Sequence, residues 1–72
     1  MNQNQHDALA DFCFNLGYNR LRESTLWRYV LSNPFCDNVK KQFRRWIYVK
    51  GVPSTALKYR REWEIKRYFG QI

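Results

Sequence analysis

A helical repeat of apolar side chains near the N-terminus constrains this chain more than any other feature. Leu9, Phe12, Cys13 and Leu16 fall at the i, i+3, i+4 and i+7 positions of one stripe, with Ala8 beside them. Gly17 follows directly, and glycine most readily takes the left-handed conformation that ends a helix. The spacing predicts a helix over residues 6–16, and Asp7 suits its positive end. One helix cannot cover its own apolar stripe, so the remaining residues must supply the other side of a core.

They do so in similar units. Residues 18–22 read as a connector. A second helix is expected over residues 24–32, starting near Glu23 or Ser24, with Leu26, Tyr29 and Val30 on one face. Asn33-Pro34 stops it, because the residue before a proline is pushed out of helical geometry. Asp37 is a suitable N-cap for a third helix over residues 38–48, with Val39, Phe43, Trp46 and Ile47 as its stripe. Lys50-Gly51-Val52-Pro53 carries turn chemistry and reads as a loop. Ser54 then caps a fourth helix over residues 55–69, closed by Gly70. Its core face is expected at Leu57, Ile65, Tyr68 and Phe69, with Arg61 on the same side. Glu62 precedes Lys66 by four residues, the spacing of a surface ion pair. Tyr59 and Trp63 lie on another side, so this helix offers a second contact surface. No strand-like alternation competes. The expectation is an all-α, compact bundle of about four short helices forming one domain over residues 1–72.

At 72 residues the chain is short, but 44% of them are apolar and 18% aromatic. Large aromatic side chains bury the most area each, so a small core rich in them can hold. That composition argues against disorder.

The charge is one-sided: 13 Lys and Arg against 6 Asp and Glu, a net of +7. Such a surface attracts polyanions, whether nucleic acid, an acidic protein or anionic wall polymers. Cys13 and Cys36 have no metal-ligand spacing and His6 is the only histidine, so a four-ligand zinc site cannot be assembled. Both cysteines sit among aromatics and read as small core hydrophobes. No cofactor motif is present. Residues 1–7 are polar and unlike a signal peptide, and the longest apolar run, Trp46 to Val49, cannot span a membrane. A cytoplasmic protein of a bacterial host, without a membrane partner, is expected.

Three stretches, taken in order, resemble phage-type lysozymes, a family of glycoside hydrolases. The first is Gln3-Asn4-Gln5-His6-Asp7-Ala8-Leu9 leading into Phe12-Cys13-Phe14-Asn15-Leu16-Gly17, similar to the helix that begins the family's C-terminal lobe. The second comprises Ser24-Thr25-Leu26, Asn33-Pro34 and Phe43-Arg44-Arg45-Trp46. The third is Leu57-x-x-Arg60-Arg61-x-x-Glu64. The resemblance implies a helical C-terminal lobe without the N-terminal catalytic lobe. It further implies that Asn15-Leu16-Gly17 lines a glycan groove, that Trp46 sits in the core or near that groove, and that Arg60 or Arg61 reaches toward the other lobe.

Cleavage of a glycosidic bond usually needs two carboxyl groups facing each other across it. Asp7 and Asp11 share a helical face, Glu62 and Glu64 diverge, and Glu23 is solitary, so no catalytic residue is expected. The expectation is a non-catalytic binding protein. One form is an anti-CRISPR-like inhibitor, phage- or prophage-encoded, contacting a host protein or ribonucleoprotein such as a defence nuclease or its guide RNA. The alternative is a peptidoglycan-binding fragment or one half of a split lysozyme. Lys40, Lys41, Arg44 and Arg45 form the first candidate basic surface, and Arg60, Arg61, Lys66 and Arg67 the second. Tyr48, Tyr59 and Trp63 are available for stacking. Each cationic row also reads as a solvated helix face, and oligomeric state is left open.

Overall fold

The computed structural model describes the whole chain, residues 1–72. Helix α1 spans Gln3–Leu16 and starts before the apolar stripe does. Two side chains cause this early start. The Asn2 side chain accepts from the Gln5 backbone N–H at 2.8 Å, and the Gln5 side chain accepts from the Asn2 N–H at 2.8 Å. This reciprocal capping satisfies two amide donors that a helix start leaves free.

Gly17 separates α1 from α2, Tyr18–Glu23, which occupies the expected connector. Its φ of 95° and ψ of 151° lie in a region essentially reserved for glycine. Leu21 anchors α2 in the core. Ser24 then ends one helix and begins the next. Its hydroxyl donates to the Leu21 carbonyl at 2.6 Å and accepts from the Trp27 N–H at 3.1 Å. Helix α3 follows over Thr25–Ser32 and stops before Asn33-Pro34.

Helix α4 spans Asp37–Arg44, with Cys36 rather than Asp37 in the cap position. Asp37 lies in the first turn, where its charge suits the helix dipole. The helix ends four residues before the expected Tyr48, because the chain turns into a short hairpin. Tyr48–Val49 (β1) pairs antiparallel with Val52–Pro53 (β2), in the register Tyr48↔Pro53 and Val49↔Val52. Lys50 and Gly51 both take positive φ, 51° and 79°, giving a two-residue turn whose twist suits a hairpin. The Ser54 N–H donates to the Ile47 carbonyl at 2.8 Å and closes its base. Helix α5, Thr55–Tyr68, begins where the Ser54 side chain accepts from the Leu57 N–H.

The bundle therefore has five helices rather than four, plus a small hairpin. Helices α1 and α5 form its most extensive packing and run antiparallel, since contacts pair residue 5 with 68, 7 with 67, 11 with 60 and 15 with 61. Phe12 is fully buried at the centre, edge-on to Phe43 at 6.1 Å and to Trp46 at 5.6 Å. Tyr68, also fully buried, donates its hydroxyl to the Pro34 carbonyl at 2.7 Å and so ties the α3–α4 loop to α5. Cys13 and Cys36 are free thiols packed against this core. No helix is long and apolar enough to cross a membrane.

Candidate functional site

The α1–α5 seam holds most of the chain's ion pairing. Asp7, Asp11 and Phe14 share one face of α1, and Arg60 and Arg67 meet that face from α5. Arg60 grips Asp11 with two hydrogen bonds of 3.0 Å, and Arg67 reaches Asp7 at 2.9 Å. One step inward, Arg61 is fully buried, its Nη1 donating to both oxygens of Glu64 at 2.7 and 2.8 Å. Its Nε donates to the Trp46 carbonyl at 2.8 Å and its Nη2 to the Asn15 side chain. The guanidinium lies 5.0 Å from the centre of the Phe12 ring. Every nitrogen of this guanidinium thus has a partner inside the protein.

Arg61 was expected on the basic surface, and this placement corrects that. Its position on the core face of α5 carries it under the helix, where Glu64, Asn15 and a backbone carbonyl can bind it. A buried cation persists only with such partners. Glu62 was expected to pair with Lys66 but is held by Arg44 at 2.9 and 3.0 Å. Lys40 lies 5.0 Å from the centre of the Phe69 ring. Lys41, Arg45 and Lys66 are exposed and form no ion pair, so the eight candidate cations do not make one surface. Tyr48 is exposed on the hairpin, apart from the α5 residues Tyr59 and Trp63.

Asp11 and Glu64 both lie against Arg60, their nearest oxygens 3.0 and 3.8 Å from its Nε. Burial raises the Asp11 carboxyl, but its hydrogen bonds with Glu64 and Arg60 outweigh that and hold it below its usual range. Burial, together with the bond to Asp11, pushes Glu64 up to about 8, against the opposing pull of Arg61. Asp7 is lowered by its bonds with Arg67 and Gln3, and Glu62 by its bond with Arg44.

These shifts set the pH dependence of stability. The raised Glu64 favours the folded state most below its ordinary value of 4.5, and that contribution is lost as pH rises through about 8. The lowered Asp7, Asp11 and Glu62 act oppositely, contributing stability above their ordinary values that is lost on acidification. Stability should therefore peak in weak acid and fall by several degrees of unfolding midpoint toward pH 8. Thermal unfolding between pH 4 and 9 checks this, and Glu64→Gln should flatten the alkaline side. An unchanged slope in that variant would show that another group sets it.

Beside the ion pairs, the surface turns aromatic. Phe14 is 87% exposed, Tyr59 73% and Trp63 44%. The Arg60 guanidinium lies 5.9 Å from the centre of the Phe14 ring, and Tyr59 and Trp63 lie one helical turn apart on the same helix as Arg60. Asp11 neutralises Arg60, so the exposed Phe14 ring stands beside a compensated charge. Phe14, Asp11 and Glu64 were not singled out from the sequence as binding residues, whereas Asn15, expected to line a glycan groove, accepts from the buried Arg61. One signal was available: Phe14 is an aromatic on the otherwise polar face of α1, in step with Asp7 and Asp11.

The motifs that carry this seam fall in order along the chain, and a family model described as phage lysozyme matches residues 1–64. The chain belongs to the phage lysozyme family. No curated protein and no solved structure matches it. The family match contains the aromatic residues Phe14, Tyr59 and Trp63 and the whole Asp11–Arg60–Arg61–Glu64 cluster, whereas Arg67 and Tyr68 lie beyond it. No group of three His, Cys, Asp or Glu side chains could hold a metal ion.

Proposed function

We propose that this phage lysozyme domain is the family's helical, non-catalytic lobe and that it binds wall glycan through the Phe14–Tyr59–Trp63 face. The exposure of Phe14, Tyr59 and Trp63 on the two packed helices, with Phe14 beside a neutralised Arg60, carries this reading. Sugar rings offer apolar C–H faces to aromatic side chains, while arginine and carboxylate pairs supply hydrogen bonds at the rim. Rigid support comes from below, where Arg61 fixes α5 against Asn15 and the Trp46 carbonyl.

In this reading the domain does not cut the glycan by its own groups. Asp11 and Glu64 are each engaged by an arginine, Arg60 and Arg61 in turn, and so do not present the free, opposed carboxyls of a two-carboxylate mechanism. Retention on purified peptidoglycan tests the proposal. Phe14→Ala combined with Trp63→Ala should lower retention about tenfold, the effect of losing roughly 1.4 kcal/mol of binding. Both side chains are exposed, so folding should persist, and helical circular dichroism verifies it. Undiminished retention by the folded double variant would remove this face from the argument.

A second reading draws on charge. The five ion pairs engage four of the 13 cations and four of the 6 acids, leaving nine cations against only Glu23 and Asp37. This surplus supports a phage-encoded inhibitor that acts on a host defence nuclease or its guide RNA. Co-purification from host extract, with and without nuclease treatment, distinguishes that partner from glycan.

A further inference from the structure

The uncompensated charge has a concave focus away from the glycan face. Two shallow clefts, of about 290 and 450 Å³, meet at Thr25 and Trp46 between the start of α3 and the end of α4. One is completed by Gln42 and Arg45, the other by Arg20, Glu23 and Ser24. Arg20 lines one cleft and Arg45 the other, and neither forms an ion pair or a side-chain hydrogen bond. Trp46 lines both, its ring edge-on to Phe12 and its carbonyl held by Arg61. The Ser24 hydroxyl is consumed by backbone bonds, whereas the Thr25 hydroxyl and the Gln42 amide are free to face a ligand.

We propose that this cleft binds a single strand of nucleic acid, with Arg20 and Arg45 on successive phosphates and one base against Trp46. It rests on the second reading above for the class of ligand, and it is independent of the glycan face. Guanidinium forks match phosphodiester oxygens, and an ordered indole offers any base a surface to stack on. A bilayer surface fits less well, since it cannot enter a concave cleft and would need a protruding apolar side chain. Glu23 opposes the bound phosphates and predicts a variant of opposite sign.

Fluorescence anisotropy of the full chain with a labelled single-stranded RNA oligonucleotide, over a series of salt concentrations, tests the assignment. Replacing Arg20 and Arg45 together with Gln should weaken binding about tenfold and reduce the salt slope by about 1.4, at roughly 0.7 per phosphate contact. Glu23→Gln should tighten it severalfold. Lys58→Gln with Lys66→Gln, both on α5 and lining neither cleft, should change both quantities less. An abasic oligonucleotide should bind more weakly than the intact one. Absence of oligonucleotide binding at low salt overturns the polyanion reading itself. Binding that the control pair weakens as much as the cleft pair, or that abasic sites leave unchanged, overturns the cleft assignment alone. Binding of anionic phosphatidylglycerol vesicles with the same Arg20 and Arg45 dependence, and none of RNA, assigns the cleft to lipid instead.

Discussion

Arg61→Ala is expected to destabilise the domain by about 3–5 kcal/mol, because it strands several buried acceptors at about 1–3 kcal/mol each. Small domains have only about 5–15 kcal/mol in total, and one of this length lies at the lower end, so the variant should be largely unfolded at 37 °C. The reason is geometric. One guanidinium serves both oxygens of Glu64, the Trp46 carbonyl and the Asn15 side chain, and packs on Phe12. Without it those acceptors stay buried without donors. Arg61→Lys should fail to rescue, because a single ammonium cannot reproduce a fork that points three ways. Arg61→Met paired with Glu64→Leu should recover much of the loss, since the apolar pair removes donor and acceptor together. Urea unfolding of the four proteins checks this order, and a stable Arg61→Ala would show that the cluster is dispensable.

Phe12→Ala should cost a similar amount, about 3–5 kcal/mol for a buried aromatic truncated to a methyl group. Phe12 touches α4 through Phe43, the α4 end through Trp46 and α5 through Arg61. The void would therefore open where three parts of the chain meet, and no single side chain could move to fill it. Phe12→Leu should be milder because it leaves less empty volume. Phe14→Ala, two residues away but 87% exposed, should cost under about 0.5 kcal/mol. Thermal unfolding of these variants reports the contrast directly. Equal losses at the two positions would contradict the described burial.

Local patterns in the sequence encode much of this fold. The stripes of α1, α3 and α5 are periodic, and Ser24, Ser54 and the Asn33-Pro34 stop lie where helices begin or end. Less visible were features decided by balance between local and distant contacts. Trp46, Ile47 and Tyr48 continue a helical stripe, yet the Lys50–Gly51 turn draws the chain into a hairpin without the usual Asn-Gly signal. Leu21 alone, by entering the core, makes a helix of a segment that reads as a connector.

The candidate site was legible in its residue types but not in its pairings. Tyr59 and Trp63 stood out as a second face of α5 by spacing. Which of the adjacent Arg60 and Arg61 meets solvent depends on α1, because Asp11 and Asn15 each claim one of them. Charge counting likewise could not show that Arg44, Arg60 and Arg67 are neutralised by acids elsewhere in the chain. Those are tertiary facts, and they move the weight of the binding argument from charge to exposed aromatics.

The Phe14–Tyr59–Trp63 face is proposed to hold wall glycan. Titration of the ¹⁵N-labelled chain with soluble, uncharged glycan fragments of peptidoglycan tests it most directly. Shifts should concentrate at Phe14, Asn15, Tyr59, Arg60 and the Trp63 indole N–H, and should leave Tyr48, Val49 and Val52 on the hairpin unchanged. Saturating shifts confined to other elements, or none at millimolar glycan, would contradict the account.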